Sequence, residues 1–446
     1  MKHLLITLFL TGSTLFLYGQ TREEKLQKLF EAYSHTNQFN GTVLISQGEK
    51  LLLNKGYGFK SIKDSVMNTP ETIFQIGSLT KQFTAAAILK LQEDGKLKVQ
   101  DKVSKYFPGY PKGDSITIEH LLTHTSGIYN YTNDPAFMLT KAVKPITRDS
   151  MLALFKDKPL KFSPGTKWSY SNSGYMLLGY IIEKASKKSY ERYIRETIFK
   201  PLKMKSSGFD FAHSNNPNKA TGYDIIAGAD SKEAGLVDSS VSYAAGAIYS
   251  TTADLYQWHK GLLSDKLLQK SSLEKALTPY KNKYGYGWFV DTLNGKKVAS
   301  HGGGIFGFNT YIVRVPQDDI AIVLLNNISN SHLKKIADEA LAILYDKLVT
   351  LPEVRSEITL STDALSKYTG VYELAPQFFI KIFVEDGKLY EQATGQQKLQ
   401  LFAQKQDYFF LKIVDAQIEF EKDESGKINS LTLFQGGKKL KGNKVQ

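Results

Sequence analysis

Strand patterns stand at both ends of residues 25–350, with a long stretch of mostly helical pieces and loops between them. Near the start, "GTVLISQGEKLLLNKGYGF" gives two apolar runs split by a Gly-containing turn, the pattern of a β-hairpin. Near the other end, "KVASHGGG", "FNTYIVRVP" and "IAIVLLNN" read as strands, with Pro316-Gln317-Asp318-Asp319 as a turn. Two amphipathic helices accompany them. "TREEKLQKLFEAYSH" places Leu26, Leu29, Phe30 and Tyr33 at helical spacing, and "SHLKKIADEALAILYDKLV" does so with Leu333, Ile336, Ala340 and Leu341. From about 100 to 265 the chain is rich in Tyr, Asn, Ser and Pro. A chain with strands only at its ends must build one antiparallel sheet from those ends, flanked by helices, with an α-rich subdomain beside it. The expected class is therefore α/β in the α+β sense, over residues 21–350.

A linker is expected at 351–361, around "TLPEVRSEITLST". Residues 362–446 then carry only short strands, with turns at Asp386-Gly387, Ser425-Gly426 and Gly436-Gly437. Roughly eight strands in meander order predict a small up-and-down β-barrel. Residues 1–20, "MKHLLITLFLTGSTLFLYGQ", combine a basic start with a short, interrupted apolar run and read as a signal peptide, with Gly19 as cleavage position. The competing reading is an uncleaved N-terminal anchor. Export to the periplasm of a Gram-negative bacterium, or secretion, is expected, with no stable membrane span after the leader is removed. The chain has no cysteine, so neither disulfides nor a cysteine-linked lipid is available, and a 42% hydrophobic content must supply the core. The net charge of +13 is spread without an arginine-rich stripe or a recognisable nucleic-acid module, so no nucleic-acid partner is expected.

Three short stretches can carry chemistry. In "IFQIGSLTKQFTAAAILKLQEDG", Ser78 precedes an apolar helical pattern ending at Gly95, and Lys81 lies one turn later. A serine there is a nucleophile only if a base takes its proton and donors hold the oxyanion; a desolvated lysine can be that base. The bland reading is an N-cap with a solvated lysine. Ser-x-x-Lys also occurs at Ser272/Lys275 and Ser331/Lys334, so the spelling alone decides nothing. In "GTKWSYSNSGYMLLG", Tyr170 can share protons with Ser78 while Asn172 donates to a substrate carbonyl; the alternative is ordinary loop packing. In "SHGGGIFGFNTYIVRVP", Gly302, Gly303 and Gly304 weaken a strand unless something approaches its backbone. A substrate lying along that strand would be the reason, with the Gly304 N–H opposing that of Ser78 and His301 binding or orienting an acidic substrate group; a bulged edge strand is the alternative. His120 and His124 have metal-like spacing on an expected helix. No third ligand stands out, and they read as buried structural histidines. There is no G-x-S-x-G elbow, phosphate loop or dinucleotide fingerprint.

The ordered set S-L-T-K, Y-S-N and H-G-G resembles the penicillin-recognising serine hydrolases, specifically the class C β-lactamase-like group of D,D-peptidases, D-aminopeptidases and esterases. The stretches "ITIEHLLTHTSGI", "FSPGTKWSYSNSGYMLLG" and "YGYGW" strengthen the likeness, which covers roughly 25–350; 360–446 is similar to a lipocalin-like tail. The resemblance implies Ser78 as acylated nucleophile, Lys81 as its partner, Tyr170 as acid/base, and the Ser78 and Gly304 N–H groups as oxyanion hole. Asn172, His301, Gly302 and Gly303 would bind substrate, and no metal or organic cofactor is implied. His-Gly-Gly replaces the Lys-Thr-Gly usual in β-lactamases of this group, which favours a peptidase or esterase. The expected function is hydrolysis of an amide or ester in a small peptide-like substrate, D-configured residues among the options. A carboxylesterase, a low-activity β-lactamase and a non-catalytic penicillin-binding or ligand-sensing protein are the alternatives. Oligomeric state and the role of the barrel stay open.

Overall fold

The computed structural model describes residues 20–226, 231–264, 266–329, 332–352, 355–396, 398–412, 416–435 and 438–446. The leader through Gly19, the Gly436-Gly437 turn and Ser331 lie outside the described residues.

The ends of the first 350 residues do meet in one sheet. Its strands are β1 (Gly41–Gln47), β2 (Lys50–Tyr57), β3 (Phe289–Leu293), β4 (Lys296–Ile305), β5 (Phe308–Val315) and β6 (Ile320–Asn326), in the spatial order β2-β1-β6-β5-β4-β3. All pairings are antiparallel, and β1 joins β6 with Gly41 opposite Asn326. Because β1 and β6 are covered on both faces, they read as continuous apolar runs rather than as alternating ones. Strand β3 has no counterpart in the sequence expectation. It is an edge strand with exposed Asp291 and Thr292, so neither strong alternation nor an apolar run marks it.

Around the sheet pack α1 (Arg22–His35), α2 (Thr80–Glu93), α3 (Asn172–Ser186), α4 (Ser239–Gly246), α5 (Thr252–Leu263) and α6 (Leu333–Leu344). Helices α1 and α6 cover one face, burying Leu26, Phe30, Ile336 and Ala340 against Val43, Ile45, Ile322 and Leu324. The opposite face, with Leu44, Ile312, Val323 and Leu325, joins the core of the helical subdomain. Within that core α2 is buried over most of its surface. It ends where Gly95 takes a left-handed φ of 70°, a conformation that costs glycine little.

Residues 370–444 form a closed eight-stranded antiparallel barrel in meander order, its first and last strands joined at Tyr372 and Lys444. Alternate side chains turn inward, and the interior holds Tyr368, Tyr372, Phe409 and Phe420 in mutual ring contact. No helix among the described residues is long and apolar enough to cross a membrane.

Candidate active site

Ser78 lies inside a short 3-10 turn, Gly77–Leu79, that leads into α2, whose N-cap is Leu79. The N-cap reading of Ser78 is thereby displaced. Gly77 has a left-handed φ of 52°, and a side chain there would start 3.0 Å from the Gly304 nitrogen. The turn that presents Ser78 is thus pressed directly against β4.

Lys81, one turn on, is completely buried. Its Nζ contacts Ser78 Oγ at 2.9 Å, Asn172 Oδ1 at 2.8 Å and the Ala245 carbonyl at 2.8 Å. None of these partners carries a charge. Burial without a counter-ion therefore holds the amine well below the ordinary lysine range. A neutral amine has two hydrogens and one lone pair. Asn172 Oδ1 and the Ala245 carbonyl can only accept, so they take the two hydrogens. The lone pair is left for the Ser78 hydroxyl.

Tyr170 hydrogen-bonds Ser78 from another side, and burial pushes its phenol well above the usual range. At rest it is a protonated donor. Its ring lies over Lys81, with Nζ 4.9 Å from the centroid. Two contacts from His124 fix the loop that carries it. The His124 carbonyl accepts from the Ser169 N–H at 2.9 Å and its Nδ1 accepts from the Ser171 N–H at 3.2 Å, so both neighbours of Tyr170 are held by one residue. The imidazole also packs on the Tyr170 ring, centroids 4.2 Å apart. His124 reaches this position because it lies beyond the short helix Ile118–Leu122, with φ 58°. The expected arrangement of His120 and His124 on one helix does not form: His120 Nδ1 caps that helix at the Thr117 N–H, 3.2 Å away.

The residues of the third motif divide. Gly304 lines the same cleft as Ser78 and Asn172, a cavity of about 390 Å³ walled by Met138, Val237, Val241, Ile305 and Phe306. Pairing with β3 covers β4 only through Ser300, so the following residues have no β3 partner on that side. His301, Gly302 and Gly303 are not among the described residues lining the cleft. His301 is 2% exposed, with Nδ1 at 2.6 Å from the Gly302 carbonyl and Nε2 at 3.0 Å from the Tyr284 hydroxyl. Nδ1 must carry the proton, and Nε2 accepts from Tyr284. Burial lowers the imidazole pKa to about 3, so the ring is neutral. Both nitrogens are committed to protein partners, which corrects the expectation that His301 meets an acidic substrate group.

Gly303 needs a different explanation from a substrate on the strand. A side chain there would start 2.1 Å from the Ile76 carbonyl and 2.2 Å from Thr310 Oγ1, which themselves bond at 2.8 Å. The close neighbour is the chain leading to Ser78. Asn172 is also more occupied than expected. Its Oδ1 holds Lys81 and its Nδ2 donates to Thr132 Oγ1 at 3.1 Å, leaving one amide hydrogen for the cleft.

The sequence reading missed the Ala245 carbonyl altogether, since any residue has one. What aims it is a break inside α4 at Tyr243, φ 34° and ψ −128°. Beyond that break the Ala244 carbonyl accepts from Thr84 Oγ1 and the Ala245 carbonyl from Lys81. A strained non-glycine backbone beside a buried amine is the kind of outlier found at functional sites.

Comparison with known proteins agrees with this architecture. The beta-lactamase family profile matches residues 26–347, and a domain-of-unknown-function profile, DUF3471, matches 354–444. "Penicillin-binding protein 4*" of Bacillus subtilis is 30% identical over 444 residues, covering 94% of this chain and 98% of its own length. The octameric penicillin-binding protein homologue from Pyrococcus abyssi superposes with a TM-score of 0.66 at 27% identity, over 94% of this chain and 99% of that one. A D-stereospecific amidohydrolase from Streptomyces sp. gives 0.63 at 27% identity, over 72% and 98%. With its sheet, its Ser78–Lys81 pair and these matches, the chain belongs to the beta-lactamase family of serine hydrolases.

Proposed function

We propose that the protein is an exported hydrolase that cleaves an amide or ester bond of a small peptide-like substrate through an acyl-enzyme on Ser78. The contact set of Lys81 carries this reading, because it leaves the amine lone pair facing the Ser78 hydroxyl. Ser78 Oγ attacks the substrate carbonyl as Lys81 takes its proton. The N–H groups of Ser78 and Gly304, on the facing turn and strand, receive the oxyanion. The proton then passes by way of Lys81 and Tyr170 to the leaving nitrogen or oxygen, and the C–N or C–O bond breaks. Water attacks the resulting ester, returns a proton to the same pair and regenerates Ser78. Asn172 positions Lys81, while His301 and Gly303 support the site from behind. His301 in place of a lysine favours peptidase or esterase chemistry over dedicated β-lactam hydrolysis, and the D-stereospecific amidohydrolase neighbour supports small amides as the class to test first.

Incubation with a fluorophosphonate or labelled penicillin, read by intact-mass analysis beside Ser78→Ala, tests the nucleophile. One adduct on the wild type and none on the variant is expected. An adduct that persists in Ser78→Ala, or no adduct on the wild type with either reagent, would overturn the proposal.

A further inference from the structure

A second cavity, of about 600 Å³, opens where the linker passes between the hydrolase domain and the barrel. Its described lining comes from the end of α1 and the residues after it, from α6, from the linker, and from barrel residues 410–412. It shares no described lining residue with the catalytic cleft, whose single charged side chain among the described residues is Asp224. Clefts between folded bodies are favoured places for small ligands, because several segments converge there on one molecule.

One part of the lining is apolar. Leu351 and Pro352 come from the linker, and Phe410 and Leu411 from the barrel. Leu351 packs against the sheet core and Leu411 belongs to the barrel core, so this panel is the seam between the two. The other part is cationic, with Lys335, Arg355 and Lys412 set against one carboxylate, Glu339. Their partners decide which charges are available. Lys412 is paired with Glu357 at 2.7 Å. Glu339, one turn beyond Lys335 on α6, accepts from the buried Tyr33 hydroxyl at 2.6 Å. Lys335 lies over the Tyr33 ring, its Nζ 5.9 Å from the centroid. Arg355 Nη1 donates to Gln404 Oε1, a neutral acceptor, at 3.2 Å. Lys335 and Arg355 thus form no ion pair among the described residues. Arg355 is also held in place. The Ile358 N–H donates to the Ala403 carbonyl at 2.8 Å, which ties the linker to the barrel strand that carries Gln404.

We propose that this cavity is a second binding site, for an organic anion with an apolar body and a carboxylate or phosphate head. The head meets Lys335 and Arg355, and the body covers Leu351, Pro352, Phe410 and Leu411. Bonds between ionised groups are the strong ones, and the planar guanidinium fork suits either head. The body adds binding free energy for each methylene it removes from water. A cation of the same shape would instead bring a like charge to Lys335 and Arg355. Because Lys335 belongs to the hydrolase domain and Arg355 to a linker held on the barrel, the bound anion joins the two bodies. The site stands independently of the chemistry at Ser78.

Isothermal titration calorimetry on the full chain with octanoate, octyl phosphate, acetate and octyltrimethylammonium is the test. At least one octyl anion should bind about tenfold or more tighter than acetate and than the octyl cation. The tighter of the two anions identifies the head group. Lys335→Glu combined with Arg355→Glu should weaken that anion at least about tenfold, while p-nitrophenyl ester turnover stays within about twofold. The milder pair Lys335→Gln and Arg355→Gln should weaken it about threefold or more, which keeps the test open if the reversed pair fails to fold. An octyl anion that binds no tighter than acetate or the octyl cation overturns the proposal. So does an affinity that survives in the glutamine pair, or binding that inhibits ester turnover and ignores every charge change, since that ligand occupies the catalytic cleft.

Discussion

Two buried basic side chains sit about the central sheet, and they are built in opposite ways. Arg314 on β5 is completely buried. Its Nε donates to His259 Nδ1 at 2.9 Å, and His259 Nε2 meets Asp319 Oδ1 at 2.8 Å. The chain cation–imidazole–carboxylate has the outline of a catalytic relay. Yet His259 is itself fully buried on α5, and burial followed by the Arg314 charge lowers its pKa to about 3. Lys81 has no carboxylate and no imidazole bonded to it, only neutral acceptors, but its third contact is a serine that lines a cleft. A connected chain of ionisable groups is thus not what makes a site here. A lone pair aimed at a hydroxyl that a substrate can reach is.

The largest effect should come from exchanging these roles. Lys81→Met is expected to lower p-nitrophenyl ester turnover by about a thousandfold or more, since Ser78 loses its base. The denaturation midpoint should change little, because removing a desolvated amine offsets the loss of its hydrogen bonds to Asn172 Oδ1 and the Ala245 carbonyl. Arg314→Met should do the reverse. Turnover stays within about threefold of wild type, while urea unfolding reports a loss of about 1–3 kcal/mol as His259 Nδ1 loses its donor. Equal losses of activity in the two variants would erase the contrast.

Tyr170→Phe is expected to cost about a hundredfold or more in kcat with the fold intact by circular dichroism, the usual size of a lost general acid. Turnover within a few-fold of wild type would leave Lys81 to handle both proton transfers. A smaller effect is expected at His124, which touches Tyr170 without touching Ser78. His124→Ala should lower kcat about tenfold at nearly constant KM, and His124→Asn should restore part of it. Asparagine tolerates left-handed backbone and offers one acceptor to the Ser171 N–H. Equal defects in the two variants would reduce His124 to packing.

The smallest effect is on stability against pH. Lys81 titrates well below its unfolded value, so between its native pKa and about 10.4 the unfolded chain binds the extra proton. Wild-type stability relative to Lys81→Met should therefore increase as pH rises through that window. A flat difference would mean that the amine is charged in the native state.

The ends-to-middle strand pattern made the sheet legible in sequence, because β1, β2, β4, β5 and β6 carry apolar or β-branched runs. Strand β3 escaped because an exposed edge needs neither. Ser78, Lys81 and Tyr170 could be singled out by the order of three short motifs, and the structure brings those side chains into contact. The Ala245 carbonyl could not, since a backbone acceptor leaves no trace in residue type. Its placement depends on a break at Tyr243 that no local propensity announces. His124 was visible but misplaced: spacing of four suggested a shared helix face, whereas the helix ends at Leu122. Gly303 was flagged for the right property, close approach, with the wrong neighbour in mind.

The pairing of Gly41 with Asn326 has a consequence for how the chain acquires activity. Contacts this distant in sequence are slow to form, because the entropy of closing the loop is lost before the sheet offsets it. Ser78 emerges early in synthesis, but β4, which holds Gly304 against its turn, and β6, which locks β1, emerge hundreds of residues later. A ribosome-bound or truncated chain ending before them holds a serine and a lysine with no cleft around them. Hydrolysis would therefore switch on late and all at once, after most of the polypeptide has been made.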